Sequence, residues 1–130
     1  MKLGWIIFVV PDVAETVAFY EAAFGLGRRF VAEDGTYGEM ETGASTLAFV
    51  AETLAETTIP IALRPNRPGE PPAAAQVTLV TDDVAGAYER AVAAGAIGLG
   101  APVVTPWGQT VAYLRDRNGV LVELGTPVGG

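Results

Sequence analysis

Glu123 interrupts the apolar run VLVEL at 120–124, where every neighbour asks for burial. A carboxylate in that place has three readings: a metal ligand, a charge that orients a bound molecule, or an edge residue facing water. Few other residues carry chemistry. Tyr113 and Arg115 share a strand face with Val111, and Tyr37, Glu39 and Glu41 share another. Trp5 lies in LGWIIFVV (3–10) and Trp107 in the Pro-Trp-Gly turn at 106–108. The chain has no His and no Cys. Disulfides, zinc–thiolate sites and thiol catalysis are therefore excluded. The commonest metal ligand and the commonest neutral-pH base are also missing, so no conventional triad can be built. The GLG runs at 25–27 and 98–100 lack the following helix that a phosphate loop needs.

At 130 residues, half of them apolar, the chain makes one ordinary domain with a real core. A net charge of −7 argues against nucleic acid or an anionic membrane as partner, and mildly favours a cationic ligand. LGWIIFVV is preceded only by Lys2 and followed by Pro11-Asp12 instead of a small-residue cleavage site. A buried strand is expected there, not a signal peptide. No apolar run has the length of a membrane span, and a cytoplasmic location is the expectation.

The elements that must position these residues come in two similar sets. Strand 3–10 leads to Asp12, a helix cap with Glu15 three residues on. Val13, Val17, Tyr20 and Phe24 follow at helical spacing, and Gly25 and Gly27 end the helix. Strands are expected at 28–33, 36–42 and 45–50, with a short helical turn at 51–57. Strand 75–81 then leads to Asp83, a second cap, and to the stripe Val84, Ala87, Tyr88 and Ala91, ending at Gly95. Strands at 99–104, 109–115 and 120–124 follow, the last two joined by Asp116-Arg117-Asn118-Gly119, a hairpin signal. Asp12-Val13-Ala14 recurs as Asp83-Val84-Ala85. The expected fold is α+β, two tandem βαβββ modules at 1–57 and 75–130. The linker at 58–74 belongs to a stretch (58–75) holding five of the nine prolines. Arg64 and Arg67 read as solvated linker charges. Phe19, Tyr20, Phe24 and Tyr88 read as packing, and Arg28 and Arg29 as surface.

Four pieces in this order resemble the vicinal oxygen chelate superfamily: VPDVAETVAFYEAAFGLGRRF, YGEMETGASTLAF, VTDDVAGAYERAVAAGA and PWGQTVAYLRDRNGVLVEL. That superfamily includes glyoxalase I, extradiol dioxygenases, fosfomycin resistance enzymes and bleomycin resistance proteins. The resemblance is nearest to bleomycin-resistance-like members without an assigned reaction. It implies curved sheets around a cleft, with Trp5, Ile7 and Val9 on the cleft face of the first strand and Leu121 and Glu123 on that of the last. It also implies a homodimer. Metal-dependent members carry ligands at positions that fall on Trp5, Ala48, Gln76 and Glu123 here, and only Glu123 keeps a ligand type. One carboxylate and one amide make a poor divalent-cation site, so no cofactor is expected and a divalent metal is disfavoured.

The expectation is thus a protein that binds a small molecule, cationic or aromatic and antibiotic-like, without turnover. Trp5, Trp107 and Tyr113 would supply apolar area, and Gln76 and Glu123 would orient polar groups; no catalytic residue is assigned. Each has a plainer reading. Glu123 is a ligand contact or a relic bonded to a neighbour such as Gln76 or Arg115. Trp107 is a stacking wall or a plug on the sheet end. Trp5 lines the cleft or fills it. Tyr113 is a cleft phenol or a satisfied core tyrosine. Tyr37, Glu39 and Glu41 read as a solvated strand face. The alternative function is a glyoxalase- or dioxygenase-like enzyme with an atypical metal site, or with Glu123 and Tyr113 as a metal-free acid–base pair.

Overall fold

The structure, a computed structural model, describes residues 1–128. The chain divides into two compact units, Met1–Pro65 and Asn66–Gly130.

The first unit runs β1 (Trp5–Val10), α1 (Val13–Phe24), β2 (Gly27–Val31), β3 (Tyr37–Glu41), β4 (Thr46–Ala51) and α2 (Glu52–Thr58). Asp12 caps α1 by accepting the Glu15 amide at 3.0 Å. Gly25, left-handed at φ 68°, closes the helix by bonding Glu21 O. The sheet order is β1-β4-β3-β2, with β1 parallel to β4 and the other pairs antiparallel. Helix α1 packs on the face bearing Met40, Leu47 and Phe49. Its Tyr20 ring lies 5.0 Å from Phe49. Gly38 allows the close approach there: a Cβ would lie 3.0 Å from Val13 and 3.1 Å from Val17, so those side chains would have to give way.

The second unit repeats the plan: β5 (Gln76–Val80), α3 (Val84–Ala93), β6 (Ile97–Gly98), β7 (Val103–Val104), β8 (Thr110–Arg115) and β9 (Leu121–Gly125). Its order is β5-β9-β8-β6, with β7 also on β8. The first-fourth-third-second order is that of the first unit. Val122, Leu124, Ala112 and Leu114 are buried on the face that α3 covers, together with its own Val84 and Ala91.

The α+β architecture of βαβββ modules is as the sequence predicts. Four local expectations need correction. The strand expected at 99–104 is two short strands, because Gly100 at φ 142° and Pro102 break the ladder between them. LGWIIFVV is not buried throughout: Trp5, Ile6 and Ile7 are about half exposed. β1 is the sheet edge, and α1 covers β2, β3 and β4 but not β1. Tyr88 is half-buried and lies over the bare backbone of Gly98 instead of in the core. The Asn118-Gly119 hairpin is real, but only Gly119 has positive φ (91°). Asp116, almost fully buried, accepts the amides of Asn118 and Val120 and shapes the turn.

Among the described residues no helix is long and apolar enough to cross a membrane.

Candidate functional site

Each sheet leaves one face uncovered by its first helix, and the register sorts the chemistry-bearing residues onto those faces. In the second unit Thr78 pairs with Glu123 and Glu123 with Tyr113, so these three lie in one row across β5, β9 and β8. Gln76 is two residues before Thr78 on the same face. Glu123 Oε1 accepts from Thr78 Oγ1 at 3.1 Å and Gln76 Nε2 at 3.3 Å. Gln76 also donates to Thr78 Oγ1 at 2.9 Å. Tyr113 stands directly across from Glu123, and the interaction of its hydroxyl with that carboxylate, followed by burial, pushes the phenol above its ordinary value. Glu123 is half-buried, and all its partners here are neutral. Among the described residues it forms no ion pair.

Arg115, considered above as a partner for Glu123, is committed elsewhere. Its guanidinium donates to the carbonyls of Gly119, Pro68, Arg67 and Glu70 at 2.6–3.1 Å. It thereby straps the start of the second unit onto the β8–β9 hairpin. Trp107 is 68% exposed at the tip of the β7–β8 turn, so it is no plug. Its Nε1 donates to Gln109 Oε1 at 2.9 Å, and Gln109 Nε2 donates to Thr126 O at 2.8 Å. Gln109 precedes Val111 and Tyr113 on their face, so the indole is tethered at the end of that row. Tyr113, at 38% exposure, is not a core tyrosine.

The first unit carries a network the sequence reading missed. Glu39 is 8% exposed, not solvated. Its Oε2 accepts from Tyr37 Oη at 2.7 Å and Trp5 Nε1 at 3.0 Å, and its Oε1 from Arg29 Nη1 at 3.1 Å. Arg29 also grips Glu41 through Nε and Nη2, both at 3.0 Å, and reaches Thr46 Oγ1 at 3.1 Å. Arg29 is therefore not a free surface charge, whereas Arg28 pairs at the surface with Glu21. The device behind this is a β-bulge: Arg28 pairs with Met40 and Phe30 with Glu39, leaving Arg29 as the extra residue. Arg29 and Phe30 both reach the Glu39 face. The Tyr37 hydrogen bond, then those from Trp5 and Arg29, hold Glu39 below the ordinary carboxylate value against the effect of burial. Burial first, then Glu39, pushes Tyr37 up to about 12. The bond to Glu41 first of all keeps Arg29 firmly protonated.

The expected site residues therefore fall in two groups. Gln76, Tyr113 and Glu123 are brought together directly, Trp107 is tethered along their row, and Trp5 belongs to the Glu39 network of the first unit. Thr78, Arg29, Tyr37 and Glu39 are additions. Ile7 pairs with Ala48 in the first unit as Thr78 pairs with Glu123 in the second. Ala48 thus stands where Glu123 stands, and it offers no ligand atom.

The donors do not fit a divalent cation. Glu123 already accepts from an amide and a hydroxyl and faces a phenol, and Glu39 and Glu41 are engaged by Arg29. Among the described residues no three of His, Cys, Asp and Glu group to hold a metal ion.

Duplicated sheets of this order, each with polar groups on its uncovered face, define a βαβββ-repeat protein. The chain belongs to the Glyoxalase/Bleomycin resistance protein/Dioxygenase superfamily, whose family model matches residues 2–124. A glyoxalase-related enzyme from Fulvimarina pelagi superposes with TM-score 0.84 at 21% identity, over 98% of this chain and 88% of that one. A glyoxalase/bleomycin resistance protein/dioxygenase family enzyme from Burkholderia phytofirmans PsJN gives 0.78 at 20%, over 97% and 98%. TioX from Micromonospora sp. ML1 gives 0.71 at 19%, over 97% and 98%. At these identities the likeness is one of fold. A search of curated proteins found no match.

Proposed function

We propose that this protein binds a small organic molecule without turning it over, as a bleomycin-resistance-like sequestering protein does. One observation carries the reading: among the described residues Glu123 is a half-buried carboxylate with neutral partners only, on a face that also exposes Tyr113, Val80 and Val103. A carboxylate left without a countercharge beside apolar surface suits a ligand with a cationic or N–H-donating group on an apolar or aromatic body. Gln76 and Thr78 fix one carboxylate oxygen, and Tyr113 and Trp107 supply aromatic surface.

The same groups support binding without chemistry. A phenol raised above its ordinary value holds its proton more tightly, which makes Tyr113 a weaker acid. This disfavours the metal-free Glu123–Tyr113 enzyme. No resident cofactor, a homodimer that covers the edge strands, and no nucleic-acid or membrane partner complete the proposal.

The test is calorimetric titration with a panel of cationic glycopeptide and aromatic antibiotics. Binding should be weakened about ten- to hundredfold by Glu123→Ala, the usual range for loss of a charge-assisted hydrogen bond. Trp107→Ala should weaken it less. Absence of binding across the panel, or binding indifferent to Glu123→Ala, contradicts the proposal.

A further inference from the structure

Trp5 combines two properties that seldom go together. Its residue is 55% exposed, yet its indole N–H is fixed to a carboxylate that is itself nearly buried. Glu39 receives donors from three strands: Trp5 on β1, Arg29 on β2 and Tyr37 on β3. The Arg29 donor depends on the bulge between Arg28 and Phe30. An exposed indole on a sheet edge would ordinarily sample several rotamers. Here the N–H edge is tied down while more than half of the residue stays exposed. Ile7 and Phe30, 48% and 43% exposed, lie on the same side of the sheet.

Two chemical consequences follow. First, the N–H is engaged by Glu39, so a ligand meets the π-face of the indole and not its donor. Second, an N–H donating to a carboxylate pushes electron density into the ring. Indole is already the side chain whose face best attracts positive charge. An electron-rich, immobilised face selects an electron-poor, planar partner.

We infer that the uncovered face of the first sheet is a stacking subsite for an electron-poor planar ring, with Trp5 as platform and Glu39 as its positioning residue. The subsite deepens the proposed binding function and rests on it for its biological meaning. Arg29 and Tyr37 act through Glu39: one neutralises it and the other orients it. Holding the indole in place before binding removes the cost of ordering it later. That cost, about 0.5–1.5 kcal/mol per side chain, corresponds to roughly two- to tenfold in affinity.

The experiment uses Trp107→Phe protein, in which Trp5 is the sole tryptophan, and the 1-methylnicotinamide cation as probe. Stacking of a pyridinium ring on indole gives a charge-transfer absorption band and quenches the indole emission. The expected result is a saturable band with parallel saturable quenching. Glu39→Ala should weaken the probe roughly two- to tenfold and lower the anisotropy of Trp5 emission. Tyr37→Phe, which keeps the ring and removes the 2.7 Å bond, should act in the same direction and serves if Glu39→Ala fails to fold. A Glu39 that merely stabilises the sheet would shift the melting temperature and leave the band and its midpoint unchanged. That outcome, or the absence of a saturable band, overturns the inference. The proposed function is judged separately, on Glu123-dependent antibiotic binding, so either can fail alone.

Discussion

The two units have the same strand order and opposite ways of treating a carboxylate. In the first, Glu39 lies one strand over from Ala48 and is neutralised from within by Arg29. In the second, Glu123 lies at the position equivalent to Ala48, and its partners here are an amide, a hydroxyl and a phenol. Tyr113 takes the row position that Glu39 has in the first unit. A duplicated frame thus offers the same places twice. One copy uses its acid to build a rigid network, and the other leaves its acid able to accept from something outside the chain. A carboxylate on a sheet face is informative only when its countercharge is known.

The largest effect that sharpens this contrast is expected on stability. Arg29→Ala leaves Glu39, 8% exposed, without its cation and should lower the denaturant midpoint more than any other substitution considered for these two faces. Adding Glu39→Gln should restore part of that loss. Gln76→Ala removes two exposed contacts, to the better-solvated Glu123 at 3.3 Å and to Thr78 Oγ1 at 2.9 Å, and should change stability by less than about 0.5 kcal/mol. Equal losses in the two units would erase the distinction.

A smaller effect is expected from pH. Glu39 and Glu41 are held below the ordinary glutamate value of 4.5, by Tyr37 and by Arg29 respectively. A depressed folded value means that their contribution is present above about pH 4.5 and is lost as pH falls through the folded values. Tyr37 has the opposite sign. Its folded value is raised from 10.0 to about 12, so its contribution is present below pH 10 and fades between 10 and 12. The denaturation midpoint, followed through Trp5 emission in Trp107→Phe protein, should therefore fall on both sides of a plateau. Glu39→Gln should flatten the acid limb. An unchanged acid limb in that variant would show that Glu39 does not carry it.

The duplicated plan was legible in the sequence because its signals are local: Asp12 and Asp83 as caps, Gly25 and Gly95 as stops, and alternation along 109–115 and 120–124. Alternation also groups Tyr113 with Val111 and Arg115, and Glu123 with Leu121, and Gln76 is among the partners the sequence offers Glu123; that Tyr113 and Glu123 share a row comes from the strand register. The Glu39 network was not legible. It depends on a one-residue bulge, and without it Phe30 would turn to the helix side and the pairing would shift. Two adjacent arginines carry no mark of which one faces inward. Arg115 was misjudged for a related reason. Its strand face pointed toward Glu123, but a long side chain goes where carbonyls cluster, and the turn around Pro68 supplies three.

The central claim is that the second-unit face works through Glu123 without an ion. Native mass spectrometry of protein purified without chelator tests it most directly. The account predicts a mass equal to that of the polypeptide, or of its dimer, with no stoichiometric Ni, Zn, Mn or Fe, and the same result for Glu123→Ala. One equivalent of such a metal per chain, lost in Glu123→Ala, would contradict it.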